Sequence, residues 1–328
     1  MRRLPREGSL ADVPGIRVGH AEDPRGLTGC TVILCEAGAV AGLDVRGGGG
    51  GVRDPFVCRP DHVASRVHAV LFSGGSAFGL DATAGVMRFL RERGVGLRTS
   101  VLPIPIVPAA ILFDLGLGRP VFPGPEMAYG ACRSASAGPV REGNVGAGTG
   151  AAVGKIGGIE RATKSGLGTA CAREGGLRVA ALAVVNAFGD VTDPATGRIL
   201  AGARTSPRGR RFAGTARWMR AGAAPPGWAR ESTTLVCLAT NARLDRVEAN
   251  RLAAVGQNCL ARVIRPAQTV YDGDLTFALA LGRIEASPTR LQPLAEHAVE
   301  RAVLRAVLSA EPSGGLPAAR DLRPLRTT

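Results

Sequence analysis

The chain has 328 residues, 45% of them hydrophobic, which is enough to bury a large core in one big domain or two modest ones. Its net charge of +14 comes almost wholly from arginine, because lysine occurs only at Lys155 and Lys164, and the arginines are dispersed and often sit beside acids, as in Arg91, Glu92, Arg93. With only 4% aromatics to stack on bases, this pattern argues against nucleic-acid binding. No run of about 18 apolar residues marks a membrane span or secretion signal, and the seven scattered cysteines, without CxxC or Cys/His spacing, read as reduced, buried thiols of a cytoplasmic protein with neither metal site nor cofactor.

Along the chain, short β-branched runs alternate with longer amphipathic ones, which predicts sheets covered by helices in a mixed α/β domain. Strands are expected at Thr31 to Cys35, Val40 to Val45 and Ala69 to Phe72, and a helix from Ala77 to Arg93. Further strands fall at Val179 to Ala187, Thr234 to Thr240 and Leu275 to Leu281, with helices at Asp245 to Val263 and Leu294 to Ser309. In the first of these two helices Val247, Leu252, Val255, Cys259 and Leu260 recur near helical spacing behind Asp245, a suitable N-cap. Glycine clusters at Gly47 to Gly51, Ser73 to Gly75 and Gly143 to Gly158, where interrupting apolar and charged residues point to tight turns rather than to linkers. From about Gly202 to Glu231 seven arginines, Trp218, Trp228 and the Pro225, Pro226 pair show neither period, and a long exposed loop is expected there. No internal repeat is present.

That loop ends abruptly at Ser232, Thr233, Thr234 and the apolar strand LVCLAT. A hydroxyl at such a junction is placed to attack its own preceding carbonyl. Hydrolysis of the resulting ester would leave Thr233 as a new N-terminus, its α-amine, of pKa near about 8, serving as general base for the neighbouring hydroxyl. A Ser/His/Asp triad is not supported, since the four histidines are mostly far apart and GxSxG is absent; His20 reads as structural.

The segments SGGSAFGLDA (73–82), GNVGAGTGAAVGK (143–155), VAALAVVNAFGDV (179–191), STTLVCLATNA (232–242) and YDGDLTFALA (271–280) resemble, in unbroken order from about Asp12 to Arg283, the self-processing aminopeptidase family of D-aminopeptidase/D-esterase, the β-aminopeptidases and the nylon-oligomer hydrolase. The resemblance implies an N-terminal-nucleophile hydrolase folded as a single α/β domain, residues 1–328, in a four-layer α/β/β/α sandwich. It implies self-cleavage between Ser232 and Thr233 into subunits 1–232 and 233–328, with Thr233 as nucleophile and Ser232 or Thr234 as the alternatives one residue away. It implies that Asn186 donates to the oxyanion, that Lys155 contacts the threonine, with Lys164 as its substitute, and that Asp272 and Asp274 orient the amine. Asn144, Gly146, Ser76 and Phe113 are the implied substrate contacts. Phe113 stands where several members carry a tyrosine, so one hydroxyl of the site is missing. The implied activity is hydrolysis of amide bonds in small peptides or amides, by an oligomer of processed heterodimers. Two other readings remain: an acetyltransferase of the arginine pathway, whose usual Ala-Thr cut site is absent, and an unprocessed relative that binds without catalysis.

Overall fold

The computed structural model describes residues 7–226 and 232–322. Its frame is a nine-stranded sheet. The strands are β1 (Arg17–Asp23), β2 (Thr28–Val45), β3 (Gly51–Arg53), β4 (Val67–Ser73), β5 (Ala109–Ile111), β6 (Leu167–Glu174), β7 (Leu177–Asn186), β8 (Thr233–Ala242) and β9 (Leu275–Ile284). The hydrogen-bonded order is β3-β5-β4-β2-β9-β8-β7-β6, with β1 on β2. Five α-helices are described: α1 (Thr83–Glu92), α2 (Pro125–Ser134), α3 (Thr215–Arg220), α4 (Arg246–Val263) and α5 (Pro288–Leu308).

The long strand β2 explains the layering. Its first part pairs with β1 and β4 and its second with β9, and the register shifts between Leu34 and Ala39, around the exposed Ala37 and Gly38 at φ +85°. The sheet is thus two halves joined through one bent strand. Between the halves lies a core in which Ile33, Val70, Phe72 and Leu112 meet Leu182, Val184, Leu235, Cys237, Leu275 and Phe277. Alternate residues point the other way, as side-chain period two requires: Val32, Leu34 and Leu71 pack against α1 and α2, while Ala181, Ala183, Val236 and Leu238 pack against α4 and α5. The result is the expected α/β/β/α sandwich. Because both faces of the central strands are covered, β7 and β8 read as nearly continuous apolar runs rather than as alternating ones.

Strand β8 runs parallel to β9, the pairing a helical crossover requires, and α4 supplies it. Asp245 caps α4, accepting from the Glu248 main chain while Glu248 reaches back to the Asp245 N–H. On α5, Ala302 comes so close to β6 that a Cβ on Gly168 would lie 2.2 Å from its carbonyl oxygen. Only glycine fits.

Three expectations need correction. The two strands expected within 31–45 are one strand, Thr28–Val45; the break at Glu36, Ala37 and Gly38 is a bulge, not a chain reversal. The helix expected from Ala77 is a 3-10 segment, Ser76–Ala82, before α1 begins at Thr83, and α5 starts at Pro288, six residues earlier than predicted, with proline at its first position. The loop expected from Gly202 is mostly exposed over its described part, as expected, but it is anchored at a few points. Arg204 is buried and donates to the carbonyls of Glu160, Ala162, Pro207 and Gly209, Phe212 and Ala213 are buried, and Thr215–Arg220 forms α3. Asp190 accepts from the main-chain N–H groups of Ala203 and Thr215 and from the Thr215 hydroxyl, which holds this segment to the body. Trp228, Arg230 and Glu231 lie outside the described residues.

Candidate active site

The ends of β7 and β8 meet where the chemistry was expected. Thr233 opens β8 and lies directly opposite Asn186, the last residue of β7. All four of Thr233, Asn186, Asp272 and Asp274 are buried, none more than 4% exposed. The Thr233 hydroxyl donates to the Ser232 carbonyl oxygen at 2.6 Å, and the same oxygen accepts from the Gly273 N–H at 2.8 Å. The carbonyl before Thr233 is therefore already polarised by two donors. Its carbon sits one bond from the oxygen that the threonine hydroxyl touches.

Gly273 reaches this position because the glycine-rich turn 47–50 lies against it. The N–H groups of Gly48 and Gly49 donate to the carbonyls of Thr269 and Asp272, and a Cβ on Gly273 would stand 2.5 Å from the Gly49 oxygen. Two backbones pass at a distance that excludes side chains.

The two carboxylates hold the strand ends on either side. Asp274 accepts from the Thr234 N–H at 2.6 Å and the Gln268 N–H at 3.0 Å. Asp272 accepts from the Phe188 N–H at 3.0 Å and from the Thr269 N–H and hydroxyl at 3.0 and 2.6 Å. They thus fix the backbone next to Thr233 and just beyond Asn186, an arrangement that i, i+2 spacing alone did not specify. Burial pushes the Asp274 carboxyl up to about 8, with the neighbouring Asp272 adding to the rise, and burial likewise raises Asp272. Burial and mutual repulsion thus bias the pair toward retaining a proton.

Lys155 donates to the Asn186 side-chain oxygen at 2.7 Å and to the Asn186 main-chain carbonyl at 3.2 Å, and its charge favours the ionised forms of Asp272 and Asp114. The Asn186 amide is held at both ends: its oxygen also accepts from the Ala152 N–H at 3.1 Å, and its nitrogen donates to the Phe113 carbonyl at 2.9 Å. Phe113 thus meets Asn186 through its main chain, not its ring. Lys164, the substitute for Lys155, is fully buried elsewhere, on the carbonyls of Gly148, Ala151 and Ser165.

The remaining expected substrate contacts have other partners. The Asn144 amide exchanges two hydrogen bonds with the main chain of Glu311, at 2.9 and 3.0 Å, and the Gly146 N–H donates to Glu22. Ser76, at φ +54°, donates its N–H to Leu112 on the approach to Phe113. His20 hydrogen-bonds Thr31, and burial holds its pKa down at about 4. Among the described residues no cluster of His, Cys, Asp and Glu has the makings of a metal site, and no helix is long and apolar enough to cross a membrane.

Two site-building residues escaped the sequence. The Gly273 N–H left no signal, since a donor on the main chain has no residue type. Asp114 did leave one, a carboxylate closing the apolar run PAAILF, but only the structure shows it buried behind Phe113 and accepting from the Gly75 N–H at 2.7 Å.

Residues 8–319 match peptidase family S58. The chain belongs to that family. An uncharacterized aminopeptidase of Mycobacterium tuberculosis is 38% identical, over 96% of this chain and 98% of its own length. A 6-aminohexanoate-oligomer endohydrolase of Kocuria sp. is 32% identical, over 93% of this chain and 88% of its own. Among solved structures, the L-aminopeptidase D-Ala-esterase/amidase of Ochrobactrum anthropi, described as a variant of the Ntn hydrolase fold, superposes with a TM-score of 0.69 at 20% identity, over 97% of this chain and 90% of that one. A Burkholderia sp. β-aminopeptidase superposes with a TM-score of 0.67 at 24% identity, over 97% and 92%. This S58 chain is a hydrolase of amide bonds with the Ntn hydrolase architecture.

Proposed function

We propose that the chain cuts itself between Ser232 and Thr233 and then works as an aminopeptidase or amidase with Thr233 as its N-terminal nucleophile. The observation that carries this reading is the pair of donors, the Thr233 hydroxyl and the Gly273 N–H, on the single carbonyl oxygen of Ser232. In the first step the Thr233 Oγ turns from the Ser232 oxygen and adds to the Ser232 carbonyl carbon, and its proton is the one passed to the Thr233 nitrogen as the tetrahedral intermediate collapses. The Gly273 N–H stabilises the oxyanion that forms, and a preorganised donor of this kind is commonly worth about 3 kcal/mol of barrier. Collapse with protonation of the Thr233 nitrogen breaks the peptide bond and leaves an ester, which water hydrolyses to subunits 1–232 and 233–328.

In the mature enzyme the freed α-amine, with a pKa near about 8, is the base for its own hydroxyl. Asp274 holds the next residue's N–H, so the new terminus keeps its place after the cut. Asn186 and Lys155 form the polar wall opposite Thr233 and are assigned to hold the substrate oxyanion, while Asp272 with Lys155 sets the local charge. Ser76 and Phe113 lie on the approach to this wall. The substrate is a small peptide or amide, as the names of the aminopeptidase and 6-aminohexanoate-oligomer relatives suggest, and pocket shape decides among L-, D-, β- and ω-amino acids. The protein is assigned to the cytoplasm, as an oligomer of processed heterodimers.

Aminoacyl-anilides and 6-aminohexanoate oligomers, offered to the purified protein, test this activity. Release of amine from either class, with no acetyl transfer from N-acetylornithine, is expected. Acetyl transfer without hydrolysis would assign the chain to the transferase reading, and inactivity on every amide to the non-catalytic one.

A further inference from the structure

Lys164 is the one of the two lysines that the reaction above does not use, and it is placed unusually. Its ammonium is completely buried and lies on three main-chain carbonyls, those of Gly148, Ala151 and Ser165. Three acceptors require three N–H groups, so the arrangement is built for the charged form; a neutral amine has only two. Among its described hydrogen bonds none goes to a carboxylate. The acid whose charge supports it is Asp114, itself 4% exposed. Asp114 Oδ1 accepts from the Gly75 N–H, and its Oδ2 lies where a Cβ on Gly74 or Gly150 would come within 2.1 or 2.9 Å. Burying a cation without a bonded counterion costs several kcal/mol, and a methionine would fill similar space without that cost.

What these two charges hold identifies their use. Lys164 fixes the carbonyl of Ala151, and the next N–H, that of Ala152, donates to the Asn186 side-chain oxygen. Ala152 is also the register partner of Lys164 in a two-stranded ladder. Asp114 follows Phe113, whose carbonyl accepts from the Asn186 side-chain nitrogen. Each end of one amide is therefore set by a main-chain group adjacent to a buried charge.

We infer that Lys164 and Asp114 are positioning residues that together fix the Asn186 amide opposite Thr233, Lys164 from the oxygen side and Asp114 from the nitrogen side. This rests on the reading of Thr233 and Asn186 given above. Neither residue touches the reacting atoms; both act through Asn186. Burial lowers the Lys164 pKa to about 7, so above neutrality the ammonium loses its third N–H and its hold on the turn loosens.

A double-mutant cycle on the rate of anilide hydrolysis by the processed protein tests this. Lys164→Met is expected to slow hydrolysis by about 10²-fold, the effect of misplacing a catalytic group by roughly 1 Å. It should cause no further slowing in an Asn186→Ala background. Asp114→Asn, which keeps the acceptor for Gly75, should show the same non-additivity and so covers a failure of Lys164→Met to fold. Equal slowing with and without Asn186 would overturn the inference and leave both residues as general stabilisers. A second arm does not depend on cleavage: in crystals of the Thr233→Ala chain, adding Lys164→Met should break the contact of the Ala152 N–H with Asn186. An unchanged contact would overturn the inference too. Were the wild-type chain never to cleave, the reading of Thr233 would fail, and this second arm would still decide the placement of Asn186.

Discussion

Replacing Asn186 by alanine removes an amide that is 1% exposed and joins three segments of the chain. The substitution strips a partner from the Phe113 carbonyl, the Ala152 N–H and the Lys155 ammonium. Lys155 keeps the Asn186 main-chain carbonyl at 3.2 Å, so its loss is partial. Two neutral buried main-chain groups remain, each costing about 1–3 kcal/mol when left unpaired. With a water refilling part of the space, the sum is about 2–4 kcal/mol. Stability is best measured by urea denaturation in a Thr233→Ala background, where no cleavage complicates the comparison. Against unsubstituted Thr233, anilide hydrolysis by the processed Asn186→Ala protein should also slow by about 10²–10³-fold, the range for losing one oxyanion donor. A stability change within about 0.5 kcal/mol, the ordinary range for surface substitutions, together with unaltered hydrolysis, would refute the role given to this amide.

Three further outcomes follow from the same geometry. The Asp274 carboxyl has a folded pKa of about 8 against an unfolded 3.8, so it contributes stability that is full below about pH 4 and is lost as pH rises through 8; urea denaturation at pH 5 and pH 8 should show Asp274→Asn flattening that decline, and an unchanged slope would contradict the assignment. Gly273→Ala would bring a Cβ to 2.5 Å from the Gly49 oxygen and drive the Gly273 N–H off the Ser232 carbonyl, and time-course gels should show slowed cleavage; a wild-type rate would remove that N–H from the site. Gly168→Ala, with its Cβ 2.2 Å from the Ala302 oxygen, should cost about 1–3 kcal/mol by pushing α5 from the sheet, while cleavage of the folded fraction continues at the wild-type rate. Thermal melts and gels check both halves.

The strands were legible where apolar residues run without interruption, as in VAALAVV and LVCLAT, because both faces of the central sheet are covered. The single strand β2 was not, because Glu36, Ala37 and Gly38 look like a turn in sequence, whereas in space they are a bulge in a continuous ladder. The segment after Gly202 was legible in its exposure but not in its anchoring. Its arginines suggested solvent, yet Arg204 satisfies its guanidinium on four main-chain carbonyls, a kind of partner that sequence does not display. Within the site, the residue types of Thr233, Asn186, Lys155, Asp272 and Asp274 were readable, and the fold brings their backbones together. The division of labour was not. Asp272 and Asp274 hold backbone N–H groups, Asn144 is engaged with Glu311, and the donor on the Ser232 carbonyl is the N–H of a glycine.

Intact-mass analysis of the freshly purified protein, with N-terminal sequencing of any fragments, bears most directly on the central claim. The account predicts two chains, the second beginning at Thr233, and a single uncut chain when Thr233 is replaced by alanine. A wild-type protein that stays at full length on prolonged incubation, or one cut at another bond in both forms, would contradict it.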